Sequence, residues 1–215
     1  RPEEIEWAAG FARSAPRRLA LLVNLKCFQF LRYFPAIDAI PAEEMEIIEI
    51  GACWVTERGV VLERFQHLAK PLVRPALTPF CKKLIGITQE EIDQAPLFPV
   101  AAQALQAFVR EVVSSDTVWM SWGNYDHKQL TREAQRHEIT MPLAMPHQNA
   151  KRLFAKVQRI GKEVGMARAC ALAGIPLEGQ HHRGLDDAVS IAKLMPWVLG
   201  HATLSGQSHV PEVHK

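Results

Sequence analysis

The chain has 215 residues, 48% of them hydrophobic and 22% charged, the make-up of one sizeable folded domain and not of a disordered or fibrous chain. A formal charge of +2 excludes the global basic field of a non-specific nucleic-acid binder, although a local basic groove remains compatible with it. The cysteines Cys27, Cys53, Cys81 and Cys170 are scattered without a CxxC pair and fit reduced thiols, and no apolar run reaches the ~20 residues that a membrane span needs.

Residues 1–18 read as a short amphipathic arm without the apolar run and cleavage site of a secretory signal, so a cytoplasmic location is expected. LALLVNL (19–25) is a continuous apolar run of strand length, the pattern of a strand buried on both faces. An aromatic-rich connection, 27–44, follows; connections of that length are uncommon in compact domains and are often functional. MEIIEIGACWVTE (45–57) alternates, Gly59 turns the chain, and VVLERFQHL (60–68) completes a hairpin. Thr88 and Glu91 form a capping box opening a short helix that Pro96 ends. A helix is expected over 98–113, a short strand over 117–123, and helices over 124–137, 151–157 and 162–174, the last closed by Gly174. A final helix covers 184–199, and 200–215 reads as a flexible tail. One domain, 19–199, is therefore expected between arm and tail. A hairpin beside strands that alternate with helices makes it an α/β three-layer domain with a mixed central sheet.

Two segments carry chemistry. In SWGNYDHKQL (121–130) a strand runs into a helix with Asp126 in its first turn; in HHRGLDDAVSIAKL (181–194) His182 precedes a helix and Asp187 lies one turn inside it. Taken singly, a carboxylate in a first turn is an ordinary complement to the helix dipole. Together with EMEIIEIGA and LTPFCKKLIGITQEEIDQAPLFP, and in this order, they resemble the DEDDh-type 3′–5′ exonucleases. The resemblance covers about residues 19–195 and is nearest to the Eri-type branch, whose members act on RNA. It implies an RNase H-like fold and hydrolysis of a 3′-terminal phosphodiester with two Mg²⁺ or Mn²⁺ ions held by four carboxylates. It also implies that Asp126 and Asp187 are metal ligands and that His182 is the general base.

The first motif departs from the family. Where V-D-x-E-A-T is expected, the chain reads Val23-Asn24-Leu25-Lys26-Cys27-Phe28. Asn24 is neutral, and Mg²⁺ prefers anionic oxygen ligands. Lys26 places +1 where −1 is needed, and an ammonium ~4 Å from a metal ion costs several kcal/mol even at an effective dielectric near 20. The expected metal affinity is therefore low. Lys26 can instead pair with Asp126 and Asp187, satisfying two carboxylates that otherwise repel one another. Asp38, Glu43 and Glu44 lie in the long connection and read as solvated loop acids.

Three functions are consistent with this pattern. One is a degenerate exonuclease that binds RNA or single-stranded nucleic acid; the second is a weakened metal-dependent exonuclease. The third is an interaction module whose aromatic connection meets a protein partner or a second copy of the chain. Candidate nucleic-acid contacts are Trp122 and Tyr125 by stacking, and Lys151 and Arg183 by charge.

Overall fold

The computed structural model describes residues 19–27, 44–179 and 182–205. The arm 1–18, the connection 28–43 with Asp38 and Glu43, and the tail from 206 onward lie outside the described residues.

The continuous apolar run becomes β1 (Leu19–Cys27), the middle strand of a five-stranded sheet. β2 (Ile47–Thr56) pairs antiparallel with β1, and β3 (Val61–Leu68) completes the hairpin through Gly59, whose φ of +80° suits a residue lacking a Cβ. On its other side β1 pairs parallel with β4 (Val118–Ser121), which pairs parallel with β5 (His147–Asn149). The order is β3-β2-β1-β4-β5, a mixed sheet as expected.

Strand alternation divides the core into two layers of side chains. Leu21, Val23, Ala52, Trp54 and Trp119 pack on one face against α3 (Phe98–Arg110) and against Leu130 of α4 (Tyr125–Arg136). Ala20, Cys53, Val55 and Met120 pack on the other against α5 (Ala150–Val157), α6 (Met166–Ala173) and α7 (Gly184–Lys193). Helices thus cover both faces, and Ala20, Leu21 and Val23 of β1 are buried between them, in keeping with the apolar run over 19–25. Burial raises the thiol pKa of Cys53 to about 12, as expected of an inert core thiol.

Three local differences from the sequence reading have simple causes. An additional helix, α1 (Pro79–Ile85), forms where Thr78 caps the Cys81 amide, Pro79 opens the first turn and Gly86 closes it at φ +68°. It precedes α2 (Gln89–Gln94), whose Thr88–Glu91 capping box is present as read. β5 is three residues long, too short for any periodicity to reveal it. The last expected helix breaks at Leu194 into α7 and α8 (Met195–Val198), because Pro196 in the first turn of α8 has no N–H to continue the ladder. The chain past α8 stays against the core as far as buried Leu204, whose amide donates to Gln158 Oε1 at 3.0 Å.

The approach of α7 to β2 is set by two glycines. A Cβ added to Gly51 would lie 1.9 Å from the Gly184 carbonyl carbon and 2.1 Å from the Leu185 nitrogen. Backbone, not a flexible side chain, occupies that space, so the helix itself would have to move. Gly51→Ala is therefore expected to destabilise the chain at or beyond the upper end of the about 1–3 kcal/mol typical of overpacking, measured as a fall in urea midpoint.

Candidate functional site

The described parts of the chemistry-bearing segments meet at the C-terminal end of β1. Leu22 pairs with Met120, so the end of β1 runs on past β4, beside the turn into α4. On the other side Asn24 lies in register with Gly51 and Lys26 with Glu49, and Gly51 touches the start of α7. The backbone thus brings positions 24 and 26 to the two helix starts that carry Asp126 and Asp187.

Both aspartates are largely removed from water, Asp126 at 5% exposure in the first turn of α4 and Asp187 at 3% in that of α7. Each engages polar neighbours. Carboxylates buried to this depth cost free energy unless hydrogen bonds or cations answer them. The backbone N–H of His182 donates to Asp187 Oδ1 at 3.4 Å, tying base candidate to acid. His182 also has φ +78°, a left-handed conformation that costs a non-glycine residue about 1–3 kcal/mol and that is held only where surroundings over-determine it.

What fixes the start of α7 is Glu49, fully buried on β2. Its Oε2 accepts the Gly184 amide at 2.8 Å, and its Oε1 accepts both Arg183 Nε at 3.1 Å and the Arg183 guanidinium NH2 at 3.0 Å. Gln66 of β3 donates to the same carboxylate at 2.5 Å. The sequence reading did not find this clamp. The available signal was an acid sharing strand parity with Gly51 in an otherwise apolar strand. Glu46 is likewise committed, accepting the amides of Leu72, Val73 and Arg74 at 2.6–3.1 Å. Buried Glu133 accepts Ile47 N at 3.2 Å and Arg136 at 2.9 Å, and burial raises its pKa while Arg136 opposes the rise. Glu44 is exposed and meets the Arg74 guanidinium at 2.5 Å.

The candidate nucleic-acid contacts divide by environment. The Trp122 indole N–H donates to Val164 O at 3.0 Å and its ring lies 5.7 Å from Phe154, a packing role. The Tyr125 hydroxyl donates to Met45 Sδ at 3.6 Å, again in the core. Arg183 is held by Glu49, so its guanidinium is already committed. Lys151 is half-exposed and lies 3.8 Å from Glu163, which also meets exposed Arg152 at 3.4 Å.

Behind the turn that delivers Asp126 is His147. Its Nε2 lies 2.9 Å from Ser121 Oγ, and that hydroxyl donates to Gly123 O at 3.0 Å, so the imidazole N–H supports the turn. The ring stacks on His127 at 4.9 Å and packs against Trp119 at 4.4 Å. Burial first, and the neighbouring His127 second, lower its pKa to about 4.

The donor chemistry does not suit two divalent ions. Asp126 and Asp187 supply two carboxylates, but the first strand offers Asn24 and Lys26 in place of two more. Among the described residues no three His, Cys, Asp or Glu side chains gather as a metal site would require.

The sequence profile described as Exonuclease, RNase_T, matches residues 37–195. "ERI1 exoribonuclease 2" of Danio rerio is 28% identical over 168 residues, covering 69% of this chain and 30% of that protein. "Probable 3'-5' exonuclease KapD" of Bacillus subtilis is 28% identical over 157 residues, covering 71% and 73%. The chain thus spans less than a third of the fish relative's length. Among solved structures, the nuclease domain of 3'hExo, a DEDDh family member bound to rAMP, superposes with a TM-score of 0.72 at 21% identity, over 85% of this chain and 92% of that one. The mixed sheet with helices on both faces is accordingly the RNase H-like exonuclease fold.

Glu49→Ala leaves the buried Gly184 amide and the partly exposed Arg183 guanidinium without their acceptor, and is expected to cost about 1–3 kcal/mol in chemical denaturation, with Glu49→Gln costing less. For His147 the folded pKa lies below the unfolded value near 6.5, so its contribution to stability is present above pH 6.5 and lost as pH falls toward about 4. The neutral variant His147→Gln should therefore lose less in melting temperature than the original chain across that window.

Proposed function

The chain belongs to the exonuclease (RNase_T) family, and from that premise we propose that it is a degenerate 3′–5′ exonuclease, a pseudoenzyme that binds RNA or other single-stranded nucleic acid without hydrolysing it. The observation that carries this reading is the pair Asn24 and Lys26 at the first-motif positions, on a strand that ends against both retained aspartates. Two divalent ions bring four positive charges, whereas Asp126, Asp187 and Lys26 together supply a net charge of only −1. Chemistry that needs both ions loses the electrostatics that would concentrate them.

In this reading the Lys26 ammonium answers Asp126 and Asp187 in place of metal, and the salt bridge maintains the fold of the cleft. Buried carboxylates at both helix starts support the idea, since such groups persist when a cation meets them. Nucleic acid is the expected ligand because a related structure describes 3'-end specific recognition of histone mRNA stem-loop by 3'-exonuclease. Phosphate contact falls to Lys151 and the neighbouring exposed Arg152, which share the exposed carboxylate of Glu163, while Arg183 is held by Glu49 beside His182.

The second reading, a weakened exonuclease, is favoured by one observation: His182 is retained beside Asp187. A salt bridge to Lys26 explains the two aspartates but gives no reason for the histidine. The interaction module rests on the aromatic connection, which lies outside the described residues.

The deciding experiment compares the chain with the double variant Asn24→Asp/Lys26→Glu on 5′-labelled single-stranded RNA and DNA with Mn²⁺. The original chain should retard RNA on a native gel and leave it full length, while the double variant shortens it from the 3′ end. Shortening by the original chain at a comparable rate would overturn the pseudoenzyme reading. Absence of binding by both proteins would remove nucleic acid as the ligand.

A further inference from the structure

At the end of the sheet away from Asp126 and Asp187 lies a cavity of about 650 Å³. Ala20, Met120 and Met195 are among its apolar lining residues, and Glu57, Asp116 and His201 are among its polar ones. It opens where β1 begins. Leu19 pairs with Thr56, the residue before Glu57, and Ala20 pairs with Val118, two residues after Asp116. The two carboxylates therefore flank, on neighbouring strands, the point at which the preceding chain enters the sheet.

We propose that this cavity is the dock for the segment that precedes β1 in the same chain, residues 1–18, with Arg17 and Arg18 set against Glu57 and Asp116. The last six residues of that segment, Arg13 to Arg18, contain three arginines and no acid, the complement of the two carboxylates. Arg17 is two residues from Leu19, and at about 3.3 Å per residue such a tether spans roughly 7 Å from the start of β1, whose next residue, Ala20, lines the cavity. Further back, Ile5, Trp7 and Phe11 supply apolar side chains for the methionine-lined part of the cavity. Tethering makes the association intramolecular, at an effective concentration near the millimolar range, so a modest intrinsic affinity suffices. The other described end of the chain also lies close, at Leu199 and His201, but residues 206–215 carry Glu212 beside Lys215 and offer no comparable charge match. Docking holds the start of the same strand whose far end carries Asn24 and Lys26.

Hydrogen exchange of the full chain tests the assignment, with variants lacking 1–16 or 206–215 and with Arg17→Glu/Arg18→Glu. Removal of 1–16 should speed exchange several-fold at 115–118 and 195–201 while leaving α3 unchanged, and a peptide of residues 1–18 added in trans should restore protection, less so at high salt. The charge-reversed variant should show the same acceleration, and Glu57→Arg/Asp116→Arg introduced with it should reverse the effect. If the truncated chain loses protection everywhere, the charge-reversal pair decides. Unchanged exchange in the charge-reversed chain overturns the proposal, as does an acceleration produced only by removing 206–215.

Discussion

Helix α7 meets β2 backbone to backbone where Gly184 lies against Gly51. The contact of Gly184 with Gly51 brings helix backbone onto strand backbone, and at that separation the orphan amide at the start of the helix falls within reach of one carboxylate, Glu49. Glu49 is fully buried, so its charge has to be answered locally, and it is answered by the helix start, by Arg183 and by Gln66 of the neighbouring strand. The placement of His182 and Asp187 relative to the sheet depends on this one clamp. Shift it, and the left-handed turn at His182 loses what over-determines it.

Buried acids in this molecule therefore do two different jobs. Glu46, Glu49 and Glu133 each collect backbone amides from segments distant in sequence, and serve as struts. Asp126 and Asp187 occupy the first turns of helices that converge on one strand end, a geometry suited to gathering a positive charge. In the family that charge arrives as metal; in the function proposed above it arrives as Lys26, which stands in the sequence where the resemblance expects an acid. The same surroundings that would make a charged site effective make an unanswered one expensive, because both carboxylates are shielded from water.

The turn from β4 into α4 is stabilised from behind, by His147 through Ser121 and by Trp122 through Val164. Each partner lies more than twenty residues along the chain, which makes the turn a tertiary product rather than a local one. Trp122 shows the consequence for functional reading. An aromatic residue next to a motif invites a base-stacking role, and the half-buried Trp122 also serves the fold, its N–H donating to Val164 and its ring lying 5.7 Å from Phe154.

Sequence periodicity and caps determined the strands β1 to β3 and the capped helix at Thr88, while the family resemblance, and not periodicity, implied that the motifs converge and that Asn24 and Lys26 stand where acids are expected. These are legible because apolar alternation, caps and charge are local properties of a side chain. The role of Glu49 was not, since its partners stand 134 and 135 residues away and a buried acid declares its purpose only through what it touches. β5 was equally hidden, because three residues owe their extended form to pairing with β4 and carry no pattern of their own. The identity of each charge was thus fixed in the chain, and its task was assigned by packing, which alone decides which charges are taken out of water together.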